Sequence, residues 1–210
     1  LTQQRSQQMV AQTVNAFVRA IEAVDTYLRG QSAFTALLAV ALADGLGRND
    51  AETLATLRTA ANLSHVGMIQ LPKELLTKTG ALSDEERALL KKHVGFAREA
   101  LADIDFGLPV LEAIIQMYER LDGSGYPAGL TNGAICEHAR ILAVANTFCA
   151  LVRPRSYREA HGTDDALKIL AETPPKYDGS IVKALRIYLN TEPGKAFMAQ
   201  LLADQLTNSA

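Results

Sequence analysis

The sequence predicts a single all-α domain, and three observations support that prediction. The 210 residues are 48% hydrophobic, but only 6% are aromatic and tryptophan is absent. The core must therefore be built from Leu, Ala, Ile and Val, and Ala and Leu have high helix propensities. Apolar residues also recur at helical spacing, whereas no stretch shows the sustained period-2 alternation that is typical of a strand.

The first predicted helix carries an apolar seam that follows a polar, Gln-rich start. We expect residues 1–8 to be a linker remnant, residues 9–205 to form the folded domain, and residues 206–210 to be a polar tail. The seam has heptad-like spacing and consists of Val10, Val14, Phe17, Ile21, Val24 and Leu28. Such a face packs on the domain's own core or pairs with a second copy in a homodimer. Gly30 is expected to end this helix.

Further helices follow, and several have recognisable start signals. A second apolar helix is predicted from about Ser32 to Leu46. Asn49 with Glu52 resembles a capping box that starts a third helix, and Ser83 with Glu86 opens another over residues 84–92. Later periodic stretches cover residues 93–103, 109–120, 137–152, 164–172, 180–190 and 194–205.

Charge and cysteine content narrow the class of protein. The formal net charge of −2 argues against a nucleic-acid partner, because such proteins are usually basic. No run of eighteen apolar residues exists that would predict a membrane span. Two isolated cysteines, Cys136 and Cys149, are typical of a reducing compartment, so we expect a cytoplasmic location.

The most specific motif is the run ERLDGSGYP at residues 119–127. A helix end is followed there by a glycine-rich loop, in which glycine permits positive φ and proline fixes the exit. The residues that define this loop are Asp122, Gly123, Gly125, Tyr126 and Pro127. Upstream of it lie VGMIQLP (66–72) and KTGALS (78–83), and downstream lie ARILAVA (139–145), RSYREA (155–160) and YDG (177–179).

In this order and spacing, these segments resemble the HD-GYP family over about residues 17–190. The resemblance implies a helical bundle of the HD superfamily, preceded by the long N-terminal helix. It also implies, for active members, hydrolysis of the bacterial second messenger cyclic di-GMP with two or three metal ions, often iron or manganese. In that family the GYP loop also contacts diguanylate cyclase-type domains.

At the positions of the family's metal ligands, this chain carries mostly uncharged side chains. The resemblance implies that one histidine, His93, is matched and that the other ligand positions hold Gln31, Ser64, His65, Met117, Tyr118 and Asn146. Two-metal phosphodiester hydrolysis needs both ions held about 4 Å apart by anionic or imidazole ligands. We therefore expect no catalytic residue, no bound metal and no other cofactor.

The sequence leaves three alternative hypotheses about function, each from a different class of protein. The preferred hypothesis is an inactive regulatory module that acts by dimerisation or by binding a signalling partner, such as a diguanylate cyclase-type domain. The second is a metal-free cyclic di-GMP receptor, whose phosphate groups would need basic partners. The third is a residual metal-dependent phosphodiesterase that uses His65 and His93. The candidate phosphate-binding residues are Lys78, Arg120, Arg155 and Arg158.

Overall fold

The structure is a computed structural model that describes residues 2–24, 28–154, 159–172 and 175–208, with side chains for 12–23, 28–154, 159–172 and 175–204. The described residues form α-helices, short 3-10 turns and loops, and their only strand-like pairing is one isolated bridge between Asp122 and Thr131. The predicted all-α class is therefore confirmed. None of the described helices combines the length and the apolar character that crossing a membrane requires.

The described helices are numbered in chain order, and two 3-10 helices, Val66–Gln70 and Asn132–Ala134, lie between them. The α-helices are α1 (Thr2–Val24), α2 (Gln31–Gly45), α3 (Ala51–Leu63), α4 (Lys73–Leu76), α5 (Asp84–Lys91), α6 (His93–Leu101), α7 (Val110–Gln116), α8 (Glu137–Leu151), α9 (Thr163–Leu170), α10 (Gly179–Leu189) and α11 (Glu192–Asn208). Residues 2–8 belong to α1, although the sequence predicts a linker remnant there. The domain boundaries as a whole stay a prediction.

Two predicted helix N-caps have different outcomes. The capping box at Ser83 is confirmed, since Glu86 N donates to Ser83 Oγ (3.2 Å) and Ser83 N donates to Glu86 Oε2 (2.7 Å). The predicted cap of α3 is wrong by one residue. Asp50 is the N-cap and accepts from Thr53 N (2.8 Å), whereas the Asn49 amide donates to Asp44 Oδ1 (3.4 Å).

The core is organised around α2 and α8. Helix α2 packs against α3 and α8, and both α2 and α8 bury side chains on several faces. Fully buried Leu38 and Leu42 of α2 belong to the same apolar cluster as Ile141 and Phe148 of α8. Burying side chains of this kind contributes roughly 1.5–3 kcal/mol each. The first residue of α2 and the middle of α8 are therefore held firmly relative to each other.

A close helix approach places the Val66–Gln70 turn against α6. A Cβ atom built on Gly67 would lie 1.9 Å from the backbone oxygen of His93, so only glycine allows this contact. Residues 64 and 65, which precede the turn, are thereby brought towards the start of α6. His65 and His93 thus lie on neighbouring elements.

The N-terminal helix packs on its own domain. Ile21 and Leu28 are buried, Val14 packs against the core, and α1 contacts α3 and the Val66–Gln70 turn. Phe17 remains 37% exposed, and the side chains of the other two seam residues lie outside the described residues. This arrangement supports the own-core alternative, and the homodimer through α1 stays a prediction. Gly30 has φ 74° and directly precedes α2, rather than closing α1.

Candidate functional site

A pair of amides joins α2 to α8. Gln31, the first residue of α2, is fully buried, and its Nε2 donates to Asn146 Oδ1 (3.0 Å) and to Asn146 O (3.1 Å). Gln31 Oε1 has no hydrogen-bond partner among the described residues. The structure therefore brings together two of the predicted ligand positions, but it joins them by a direct contact between uncharged groups.

A buried histidine lies next to this pair, among hydroxyl groups. His65 Nδ1 is 3.1 Å from Ser64 Oγ and 3.4 Å from Ser32 Oγ. Ser64 Oγ donates its proton to Ala61 O (2.7 Å). Since a serine hydroxyl carries one proton, Ser64 Oγ must accept from His65, which assigns the proton of His65 to Nδ1.

The matched histidine is enclosed by two tyrosines. His93 is 1% exposed, its Nε2 lies 3.3 Å from Tyr126 Oη, and its ring packs edge-on against Tyr118 with centroids 4.6 Å apart. The two tyrosine rings stack at 5.4 Å. Burial lowers the pKa of His93 to about 4 and raises the pKa of Tyr126 to about 12, so both are uncharged at neutral pH. The GYP loop therefore reaches the site through its tyrosine.

Met117, the remaining residue at a predicted metal-ligand position, belongs to the apolar core. Met117 follows α7, is 1% exposed and is a member of the main hydrophobic cluster. Its thioether is packed against apolar neighbours, and a thioether is in any case a poor ligand for hard divalent ions. Of the predicted positions, this one is the most clearly structural.

The shape of the GYP loop is set by a buried carboxylate. Glu119 is 3% exposed, and its two oxygens accept from Ala128 N (2.7 Å) and Leu130 N (3.0 Å). A Cβ atom built on Gly125 would lie 2.4 Å from Arg120 N and from Glu119 Cα, so the returning chain fits only without a side chain. Tyr126 N donates to Tyr118 O (3.2 Å), which brings the two rings together.

The outer part of the loop is built by short-range contacts. Gly123 has φ 79°, as expected for a glycine turn. Asp122 Oδ1 accepts from Ser124 Oγ (2.6 Å) and Ser124 N (3.0 Å), and these hydrogen bonds lower the pKa of its carboxyl. The Tyr126–Pro127 peptide bond is cis. These contacts hold the loop residues in a turn.

The described candidate phosphate-binding residues are already engaged within the chain. Lys78 Nζ lies 2.6 and 2.7 Å from the two carboxylate oxygens of Glu86. Arg120 donates to Met117 O and Glu119 O, and its guanidinium lies 4.7 Å from the centroid of the Tyr177 ring. The other two candidates, Arg155 and Arg158, lie outside the described residues.

Sequence reasoning did not foresee the contacts of three contributors to this site. Glu119 was read only as part of the motif, and its role as loop anchor depends on backbone amides nine and eleven residues later. Lys91 Nζ lies 5.3 Å from the centroid of the Tyr126 ring, and its position just before His93 was a weak signal. Arg140 Nη1 donates to Asp178 Oδ2 (2.7 Å), which ties α8 to the start of α10 beneath the loop.

The described side chains do not fit the ligand set of a two-metal centre. Among the described residues, no three His, Cys, Asp or Glu side chains are grouped so that they could hold a metal ion. His65 and His93 supply imidazole nitrogens, but each has a ring nitrogen within hydrogen-bond distance of a hydroxyl. A bridging carboxylate, which neutralises charge between two ions, is not supplied by His65 or Asn146.

Comparison with known proteins defines the class first. The family model described as the HD domain matches residues 7–181, which is most of the chain. The chain therefore belongs to the HD domain family, in agreement with its all-helical fold.

The relatives narrow this class to the HD-GYP type. The chain is 35% identical over 205 residues to the cyclic di-GMP phosphodiesterase response regulator RpfG of Xanthomonas campestris pv. campestris, covering 95% of this chain and 52% of the relative. It is 30% identical over 183 residues to 3'3'-cGAMP-specific phosphodiesterase 3 of Vibrio cholerae, covering 83% and 39%. This chain thus spans about half or less of these relatives' length.

A solved structure shows the same fold. It is an HDG"Y"P protein from Bdellovibrio bacteriovorus, with a TM-score of 0.64 and 24% sequence identity, and the match covers 77% of this chain and 52% of that one. At this identity the likeness concerns the fold alone.

Family membership corrects the prediction that no metal or other cofactor is used. The phosphodiesterases that this chain matches are metal-dependent, so the family implies a metal and the prediction is wrong on that point. The described residues do not fit such a metal site. No described carboxylate or thiol lies close enough to His65 and His93 to form a group of three metal ligands with them. Among the described residues, the positions of the family's metal ligands carry no pair of carboxylates.

Proposed function

We propose that this HD-GYP-type domain is a regulatory module of a bacterial cyclic di-GMP-linked signalling protein and does not itself hydrolyse cyclic dinucleotides. The observation that carries the proposal is the contact between Gln31 and Asn146. At two ligand positions of the family, these uncharged amides hydrogen-bond directly to each other. The domain boundaries at residues 9 and 205 and the cytoplasmic location are part of this proposal.

The physical reason is electrostatic. Hydrolysis of a phosphodiester develops negative charge on the reacting oxygens, and two-metal enzymes neutralise it with ions that carboxylates hold in place. A glutamine and an asparagine supply dipoles without net charge, and Met117 supplies an apolar thioether. Replacing the charge-neutralising part of a site removes a large share of its rate enhancement.

The surface that remains well built is the GYP loop. Its backbone is anchored by Glu119, and its Tyr126 is in place beside His93. A rigid loop of this kind suits recognition by a protein partner, since binding then costs little ordering entropy. We propose a signalling protein as that partner, of the diguanylate cyclase type or another, with a second copy of this chain as the other mode of association.

The receptor alternative is less well supported. Lys78 and Arg120, two of its four basic candidates, are held by Glu86 and by Tyr177 with backbone oxygens. Binding a dinucleotide would have to displace these contacts or depend on residues 155 and 158. The residual phosphodiesterase alternative depends on His65 and His93 alone.

A turnover assay with metal analysis tests the proposal. Purified protein is incubated with cyclic di-GMP or 3'3'-cGAMP and added Fe²⁺ or Mn²⁺, and its metal content is measured in parallel. We expect no hydrolysis above that of the His93→Ala variant, which serves as the matched control. Turnover that is lost in His93→Ala would overturn the proposal and support the residual phosphodiesterase.

Calorimetry tests the alternative that the domain is a metal-free cyclic di-GMP receptor. We expect no heat of binding when cyclic di-GMP is titrated into the protein. Tight binding without hydrolysis, lost in an Arg120→Ala variant, would replace the regulatory proposal with the receptor.

A further inference from the structure

A buried arginine lies where the connection from α1 to α2, the end of α8 and the helix α11 meet. Arg153 follows α8 and is 5% exposed, and it is the only buried lysine or arginine among the described residues. Its Nη2 donates to Arg29 O and to Asp204 Oδ2 of α11 (2.9 Å). A buried charge is costly unless an opposite charge and hydrogen bonds compensate it. The position of Arg153 therefore depends on both neighbours.

The backbone between α1 and α2 packs directly on this ion pair. A Cβ atom built on Gly30 would lie 3.0 Å from Asp204 Oδ2 and 3.3 Å from Arg153 Nη1. Gly30 N donates to Glu22 Oε1 of α1 (2.8 Å), and Gly30 O accepts from Phe34 N in the first turn of α2 (3.0 Å). The ion pair, the end of α1 and the start of α2 therefore meet at one residue.

Aromatic contacts add to the attachment of α11. The Phe34 ring lies edge-on to Phe197 of α11 with centroids 5.8 Å apart, and the Arg153 guanidinium lies 5.5 Å from the Phe34 centroid. The side chain of Asp204 is 31% exposed, whereas that of Arg153 is 6% exposed. If α11 moves away, Asp204 can be hydrated easily, but Arg153 loses its compensating charge inside the domain.

Two contacts connect the start of α2 to α8, and they flank Gly30. Arg29 O accepts from Arg153, which follows α8, and the Gln31 amide binds Asn146 within α8. The first of these contacts depends on the charge that α11 supplies. A change in the docking of α11 therefore reaches the backbone that positions Gln31 without crossing the rest of the core.

We infer that the docking of α11 controls the amide pair through the Arg153–Asp204 ion pair. With α11 docked, the start of α2 is fixed and Gln31 is held against Asn146. Release of α11 frees Arg153 and loosens the start of α2, so the domain has two arrangements of the kind that a signal can shift. The inference rests on the proposed regulatory function and names a route by which the site is regulated.

Hydrogen exchange measured by NMR on the whole chain tests the inference. Asp204→Asn keeps the shape of the side chain but removes the charge opposite Arg153. We expect the Phe34 amide to exchange roughly tenfold faster, and the amides of α3 (Ala51–Leu63) to be unchanged, because the opening is local. Glu192→Gln is the matched control on α11, since its ion pair with Lys195 is exposed, and it should alter neither rate.

The side-chain amide of Gln31 provides a readout that a loss of overall stability would not produce. Its NH₂ resonances, identified by their absence in Gln31→Leu, should shift in Asp204→Asn and not in Glu192→Gln. Unchanged Gln31 resonances, or an equal acceleration of exchange in α3, overturn the inference.

A second variant covers the case in which Asp204→Asn does not fold. Arg153→Lys keeps the charge but lacks the planar fork that serves both partners, so we expect the same local changes. A folded Arg153→Lys variant without them overturns the inference. The dinucleotide turnover assay on the wild-type protein tests the proposed function independently, so the two outcomes stay distinguishable.

Discussion

The GYP loop and the α2–α8 amide pair lie in the same domain but differ in how completely their polar groups are used. In the loop, both oxygens of Glu119 accept backbone hydrogen bonds, and Gly125 leaves no room for a methyl group. In the amide pair, Gln31 uses its NH₂ group, while its Oε1 has no described partner. The loop is therefore constrained by several independent contacts, whereas the amide pair leaves one buried oxygen without a described partner.

The largest expected effect is at Gly125. Gly125→Ala would place a methyl carbon 2.4 Å from Arg120 N and Glu119 Cα, so the backbone must move. We expect a loss of roughly 3 kcal/mol in the free energy of unfolding, measured by urea denaturation. Gly133→Ala is the control, because a Cβ atom there meets nothing within 4 Å. Equal stability of the two variants would show that the loop is not constrained as described.

The next effect concerns the loop anchor. Glu119→Gln keeps the shape of the side chain but turns one acceptor into a donor, which then faces a backbone N–H. Leaving a buried donor without a partner costs about 2 kcal/mol, and denaturation measures it. Glu112→Gln, at an exposed position on α7, should change stability by less than about 0.5 kcal/mol. A stable Glu119→Gln variant would contradict the anchoring role.

A smaller effect on stability is expected for Asp178, and it depends on pH. Burial raises the pKa of Asp178, but hydrogen bonds from Ser180 and the charge of Arg140 outweigh it and lower the pKa overall. The carboxylate therefore stabilises the fold above its unfolded pKa of about 3.9, and that contribution is lost as the pH falls through the lower folded value.

Asp178→Asn keeps a helix cap but removes this charge. We expect it to cost about 1 kcal/mol at pH 7 and less at pH 2, as measured by thermal unfolding at both values. A loss that is the same at both pH values would show that the cap matters and the ion pair with Arg140 does not.

The smallest effect is expected at the amide pair. Gln31→Leu removes an unpartnered buried oxygen, and Asn146 Oδ1, which is half-buried, can bind water instead. We expect a change within about 1 kcal/mol. Leu38→Ala in the same helix should cost about 3 kcal/mol and shows that the measurement is sensitive. A cost above about 2 kcal/mol for Gln31→Leu would remove the contrast between the two regions.

The sequence alone determined the features that depend on local pattern. Helical periodicity and composition predicted the all-α class, and the spacing of Ser83 and Glu86 predicted a cap that the structure confirms. The GYP loop and its neighbouring segments predicted an HD-GYP-type domain. Such features depend on residues that are close together in the chain, or on the order of motifs along it, and both can be read from the sequence. The sequence analysis named Asn49 instead of Asp50 as the N-cap of α3, because both residue types cap helices well.

Only the tertiary structure decided which polar groups meet. The Gln31–Asn146 contact joins residues 115 positions apart, and the His93–Tyr126 contact joins residues 33 apart. Helical periodicity shows which face of a helix is apolar, but how the helices cross determines which side chain fills each gap.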